Sequence, residues 1–300
     1  MVTAILARLA RVRVTVGYAV VLAVVTVALV SLDPAVQDRI ILHASTNLHN
    51  LRHGHLGTLL GSAFVVDAGP LSDWLPGLIC LLALAELLWR SRRLIIAFAV
   101  GHVGATLVVA AGLWVAVTYG WLPRSVTRTA DVGMSYGATA VLGAITPAIP
   151  RRWRPAWMGW WVAVAVTAVV VDQDFTDVGH LVALMLGMLV ATWFGAPRPW
   201  TYPTAALLGL ASCFGFMVFA SSPGLIGAAA AAGLAGAAVT MAGAAAWTLP
   251  RSRRGPKANP SAGEPQADVR RRRGLPQAPE RLDAPGTQGD CRLMGVVDAE

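Results

Sequence analysis

The chain has 300 residues, 56% hydrophobic and only 13% charged, with a mean hydropathy of +0.60. Soluble domains carry about a quarter charged residues. Here the charges are clustered and leave uncharged runs of about twenty residues, the length that crosses a bilayer as a helix. A soluble enzyme and a disordered chain are excluded, and the lack of strand-length alternation argues against an outer-membrane barrel. The sequence reads as an all-α polytopic membrane protein. Its net charge of +8 and pI near 10.4 do not indicate nucleic acid, because the basic residues sit at the ends of apolar segments and in the tail. Cys80, Cys213 and Cys291 offer no disulfide framework and read as free thiols.

Residues 1–13, with Arg8, Arg11 and Arg13, precede an apolar stretch over 14–32 that is too long for a signal-peptide core and reads as the first span. Seven more spans are expected at 74–89, 94–119, 131–149, 156–171, 178–195, 203–220 and 224–249. Pro147 and Pro150 stop the fourth, at a position where a helix loses no internal hydrogen bond. With the N-terminus in the cytoplasm, this threading places 20 of the 24 Lys/Arg residues inside and leaves only Arg39, Arg52, Arg124 and Arg128 outside. That segregation obeys the positive-inside rule and implies a plasma-membrane protein with both termini cytoplasmic.

Residues 33–73 form a long external segment holding His43, Asn47, His49, Asn50, His53 and His55. Its apolar part, 56–66, is too short to cross and would dip into the outer interface. Residues 250–300, rich in Pro, Gly and Arg, read as a disordered cytoplasmic tail whose Arg270–Arg273 run meets anionic lipid headgroups.

Two residues carry candidate chemistry. Ser135 lies four positions past Asp131, and His180 lies three past Asp177, where the fourth and sixth spans enter from the same side. At about 1.5 Å per residue both would lie roughly 5 to 6 Å below their entry points. A hydroxyl and an imidazole at matched depth can form a nucleophile–base pair. The bland alternative is that Gly133-x-x-x-Gly137 is a small-residue packing motif with Ser135 inside it, and that His180 is a capped or hydrogen-bonded histidine beside Asp177. His102, near the middle of the third span, reads as a packing histidine bonded to a neighbouring helix, and Glu86 as the partner of Arg90 or Arg93. His49 and His53, four apart with His55 close by, could in principle hold zinc. No Cys or Glu completes a signature, and neither metal nor cofactor is expected.

The segment Gly133-Met134-Ser135-Tyr136-Gly137-Ala138-Thr139, running on to Leu142-Gly143-Ala144, resembles the active-serine helix of rhomboid intramembrane proteases. Gly179-His180, followed by Ala183 and Gly187, resembles that family's histidine helix, and Glu86 ahead of Arg90, Arg92 and Arg93 resembles the glutamate at the inner end of its second helix. The order also matches: one span, a long external loop, two spans, the Ser span, one span, the His span. The resemblance covers about residues 14–195 and implies a rhomboid-like six-helix core, with two additional C-terminal transmembrane helices at 196–249. It further implies serine-protease chemistry without metal or cofactor, Ser135 attacking a carbonyl of a single-span membrane protein and His180 acting as base and then acid.

The chain departs from the family pattern at several positions. Tyr136 replaces the glycine after the serine, and Thr139 stands where an aromatic residue packs on the histidine. Residues 70–75 lack the His and Asn that help bind the oxyanion, a role left to Asn47, His49, Asn50, His53 or His55 as donors or as a gate. One lost oxyanion donor costs about two to three orders of magnitude in rate. The first reading is an intramembrane serine protease with Ser135 and His180 as its dyad; the alternative is an inactive relative that binds transmembrane helices, and a small-molecule transporter ranks third.

Overall fold

The computed structural model describes residues 9–66, 69–129 and 132–248. The basic tail, Cys291 and Asp131 lie outside the described residues. The chain runs as α1 (Arg13–Val30), α2 (Pro34–Ala44), α3 (Leu48–Arg52), α4 (Thr58–Gly61), α5 (Leu71–Trp89), α6 (Ser91–Thr118), α7 (Ser135–Ala144), α8 (Arg154–Asp172), α9 (Phe175–Ala191), α10 (Tyr202–Phe219) and α11 (Pro223–Thr248). No strand occurs among the described residues. The helices begin where the sequence supplies caps. The Asp33 side chain accepts from the Ala35 amide at α2, Asn47 from Asn50 at α3 and Asp174 from Thr176 at α9, and Thr201 opens α10 in a capping box.

Six helices among the described residues are long and apolar enough to cross a membrane: α1, α5, α6, α8, α10 and α11. The expected fourth and sixth spans are shorter, at ten residues for α7 and seventeen for α9. Ten helical residues reach about 15 Å, half the hydrocarbon thickness. Such a short element is tolerated at membrane depth only inside protein, and Tyr136 through Ala144 are all buried.

α7 is the axis of the core, packed extensively between α6 and α9. Its small side chains let the flanking backbones close in. A Cβ on Gly101 of α6 would stand 2.0 Å from the Ala140 Cβ, one on Gly187 of α9 would stand 1.9 Å from the Ala140 carbonyl oxygen, and one on Gly143 would stand 2.3 Å from the Leu184 carbonyl oxygen. Around this centre α5 carries α1 on one side and α10 on another, while α11 lies along α8. α10 and α11 dock through glycines of the core, Gly77 against Phe214 and Gly159 against Gly236.

One end of the bundle is tied by polar contacts to backbone. Glu86 is fully buried and does not pair with Arg90 or Arg93, as its sequence neighbours led us to expect. Its carboxylate instead accepts from the amides of Val14 (3.1 Å) and Thr15 (2.9 Å) and from the hydroxyls of Thr15 (2.8 Å) and Ser91 (2.6 Å). A buried anion at the first turn of α1 meets unsatisfied N–H groups and the positive end of the helix dipole together, a demand the arginines, exposed or half-exposed, do not make. Arg90 turns the chain from α5 into α6 at a φ of +70°. Arg198 donates to the Leu87 and Leu88 carbonyls, through its guanidinium and its amide, and the Trp200 indole donates to the Ala148 carbonyl at 2.7 Å.

Candidate functional site

His180 is the sixth residue of α9, and Ser135 is the first residue of α7, not a turn inside it. The reason is Gly133. It stands outside the helix at a φ of +122°, a conformation that excludes other residues, and its amide donates to the Ser62 carbonyl at 2.9 Å. Gly133 is thus a turn that ties the Ser helix to the segment 33–73, not half of a helical small-residue pair. Gly137 does lie in the helix, and the Phe98 ring covers it, 2.5 Å from where a Cβ would sit.

No hydrogen bond joins Ser135 to His180. His180 is buried at 5% exposure, and neither ring nitrogen has a hydrogen-bond partner. Its Nδ1 stands 3.7 Å from the carboxylate of the buried Asp177, one turn earlier on the same helix, which is longer than a hydrogen bond. What meets the imidazole is aromatic. Tyr136 lies edge-on to it with ring centroids 5.3 Å apart, and Phe219 of α10 lies edge-on at 5.9 Å. The Tyr136 ring also fills the notch at Gly179, where a Cβ would lie 2.3 Å from the phenol ring. The residue after Ser135 is therefore wedged between the Ser and His helices. Thr139, at the position where an aromatic packs on the histidine in the family pattern, instead turns its hydroxyl to the Ser135 and Tyr136 carbonyls.

Within residues 33–73 the two asparagines bond to their own segment. Asn47 caps α3, and the Asn50 amide donates to the Leu42 and Ser45 carbonyls at 3.0 and 2.8 Å. His49 of α3 and His53, just past its end, have ring centroids 4.3 Å apart, His53 Nδ1 lies 2.8 Å from the His49 carbonyl, and His53 and His55 are exposed. None of these five residues has a described hydrogen bond to Ser135 or His180. No group of three metal-ligating side chains forms among the described residues.

A different Ser–His contact is present. The Ser62 hydroxyl and His102 Nε2 share a hydrogen bond of 3.1 Å, with Ser62 fully buried and His102 4% exposed. His102 was expected to bond to a neighbouring helix; its partner is the turn following α4, in the apolar part of the external segment. Tyr18 of α1 donates to the adjoining Ala63 carbonyl at 2.6 Å, and Ser62 holds Gly133. Ser62 and Ala63 together fasten residues 33–73 to α6, to α1 and to the turn before α7. Sequence reasoning missed Ser62, Phe98 and Phe219. Ser62 lies in a segment with no motif, and Phe219 lies on a helix outside the family resemblance.

The helices, with no strand among the described residues and six long and apolar enough to cross a bilayer, define a polytopic helical membrane protein. A family of rhomboid-like proteins matches residues 10–194, and the chain belongs to that family. No curated relative and no solved structure matches it. α10 and α11 lie beyond the matched segment.

Proposed function

We infer that this chain is a rhomboid-like protein that binds transmembrane helices of other proteins without hydrolysing them. The observation that carries this reading is Tyr136, whose ring occupies the space between α7 and α9 and faces the His180 imidazole in place of the Ser135 hydroxyl. A dyad needs nucleophile and base within about 3.2 Å, somewhat looser before substrate binds. The Tyr136 ring against the imidazole argues against that approach. Of the side chains considered as oxyanion donors, Asn47 caps α3 and Asn50 braces the preceding loop, which weakens the case for acyl transfer further.

Helix binding has positive support in the packing. The family core receives α10 and α11 through glycine notches that allow backbone-close contact, the usual mode of helix association in lipid. The partner class is thus transmembrane helices, with the bilayer as solvent. The proposed setting is the plasma membrane with both termini cytoplasmic, on the distribution of Lys and Arg.

The second reading, an intramembrane serine protease, is favoured by one observation. His180 keeps both nitrogens unspent while the Asp177 carboxylate lies 3.7 Å from Nδ1, and a buried unsatisfied histidine calls for an explanation. The two readings separate in liposomes containing the full chain and a fluorescent single-span reporter peptide. Association seen by energy transfer, with no Ser135-dependent fragment, is the expected result. Fragments from wild type that vanish with Ser135→Ala would establish the protease instead.

A further inference from the structure

We propose that the groove between α10 and α11 is a binding site for one anionic diacyl phospholipid. The two helices are consecutive, yet α10 rests chiefly on α5 with a lighter contact to α8, α11 lies along α8, and no extensive contact joins them. The gap between them is floored by Trp157 and Trp160 of α8, which line both halves of a continuous apolar trough. One half, bounded by Met217 and Ala230, holds about 610 Å³, and the other, bounded by Trp153 and Ala237, holds about 430 Å³. Each is within the range of ligand sites, about 300–1,000 Å³. Ala230 and Ala237 are two turns apart on α11 and keep one wall low along its length.

Charge identifies the occupant. The trough ends at Pro150 and Trp153, and between them in the chain stand Arg151 and Arg152, both exposed and without an ion pair among the described residues. Their neighbour Arg154 is committed to the Pro147 and Ile149 carbonyls and is not available. Arg152 lies over the Trp153 ring at 5.8 Å. Tryptophan and arginine at the end of an apolar trough match the boundary between acyl chain and headgroup. Two free guanidiniums there select a phosphodiester that carries net negative charge over a zwitterionic one. A transmembrane helix of a partner would fill the trough equally well but gives no use for the paired cations.

The test is native mass spectrometry of the full chain in detergent with phosphatidylglycerol and phosphatidylcholine of identical acyl chains. Wild type is expected to retain one phosphatidylglycerol with a preference of roughly thirty-fold, the selectivity of two interfacial cations at their usual strength. The surface double variant Arg151→Gln/Arg152→Gln should bring the two lipids to parity while leaving the thermal midpoint unchanged. Ala230→Phe/Ala237→Phe, which fills the trough with the arginines intact, should abolish retention of both. Equal retention by wild type, a preference that survives loss of the arginines, lipid binding untouched by the filled trough, or a co-purifying protein helix in place of lipid would each overturn the assignment.

Discussion

Replacing Gly187 by valine is expected to destabilise the core by about 3 kcal/mol or more, at the upper end of what overpacking costs. The first added carbon alone would meet the Ala140 carbonyl oxygen at 1.9 Å and the carbonyl carbon at 2.6 Å. Both are backbone atoms of a helix packed on all sides, so no side-chain rotation relieves the overlap and α7 must separate from α9. Gly112 provides the comparison within the same protein. It lies in the long helix α6 with nothing within 4 Å of its Cβ position, so Gly112→Ala should stabilise by about 0.5–1 kcal/mol through helix propensity. Thermal unfolding in one detergent reads both. Equal midpoints for Gly187→Val and wild type would show that α7 and α9 are not in this register.

Glu86→Ala should cost about 3 kcal/mol, because hydrogen bonds to a charged group contribute about 1.5–3 kcal/mol each and two backbone amides lose their acceptor together. The damage is specific in place. Val14 and Thr15 open α1, while Ser91 opens α6, so one carboxylate joins three helices at that end of the bundle. Glu86→Gln retains the shape but loses the charge at the α1 N-terminus and should fall between the alanine variant and wild type. The check is the thermal midpoint together with protease sensitivity ahead of Val14. An arginine-paired Glu86 would instead leave the Ala variant close to wild type, since surface ion pairs contribute about 0–1 kcal/mol.

Much of the fold was legible because a membrane imposes simple rules. Runs of about twenty apolar residues gave α1, α5, α6, α8, α10 and α11 within a few residues, since only a helix satisfies its own backbone in lipid. The fourth segment misled for a physical reason. Its apolar run was extended by the residues of a turn, and only the left-handed backbone at Gly133 and the stop after Ala144 shorten the helix to ten residues. Local sequence does not reveal that a short helix is affordable when neighbours bury it.

The candidate site was legible as residues and not as geometry. The glycines and alanines around Ser135 and His180 announced close helices, and Gly143, Gly179 and Gly187 are contact points between them. The departure at Tyr136 was also visible, but whether its ring points to lipid or into the His180 helix depends on the missing Cβ at Gly179, which is on another helix. Glu86 was misassigned because a charge was matched with the nearest opposite charge in sequence, whereas a buried carboxylate is satisfied by amides 71 and 72 residues away. The Ser62–His102 bond, across 40 residues, has no sequence signature at all.

Fluorophosphonate labelling of the purified full chain reads out whether Tyr136 keeps Ser135 and His180 from acting as a pair. Serine is labelled only when a base activates it. Wild type and Ser135→Ala are expected to label equally weakly, and Tyr136→Gly, which clears the space beside His180, is expected to gain labelling that a further Ser135→Ala or His180→Ala change removes. Strong labelling of wild type at Ser135, lost with His180→Ala, would contradict this expectation.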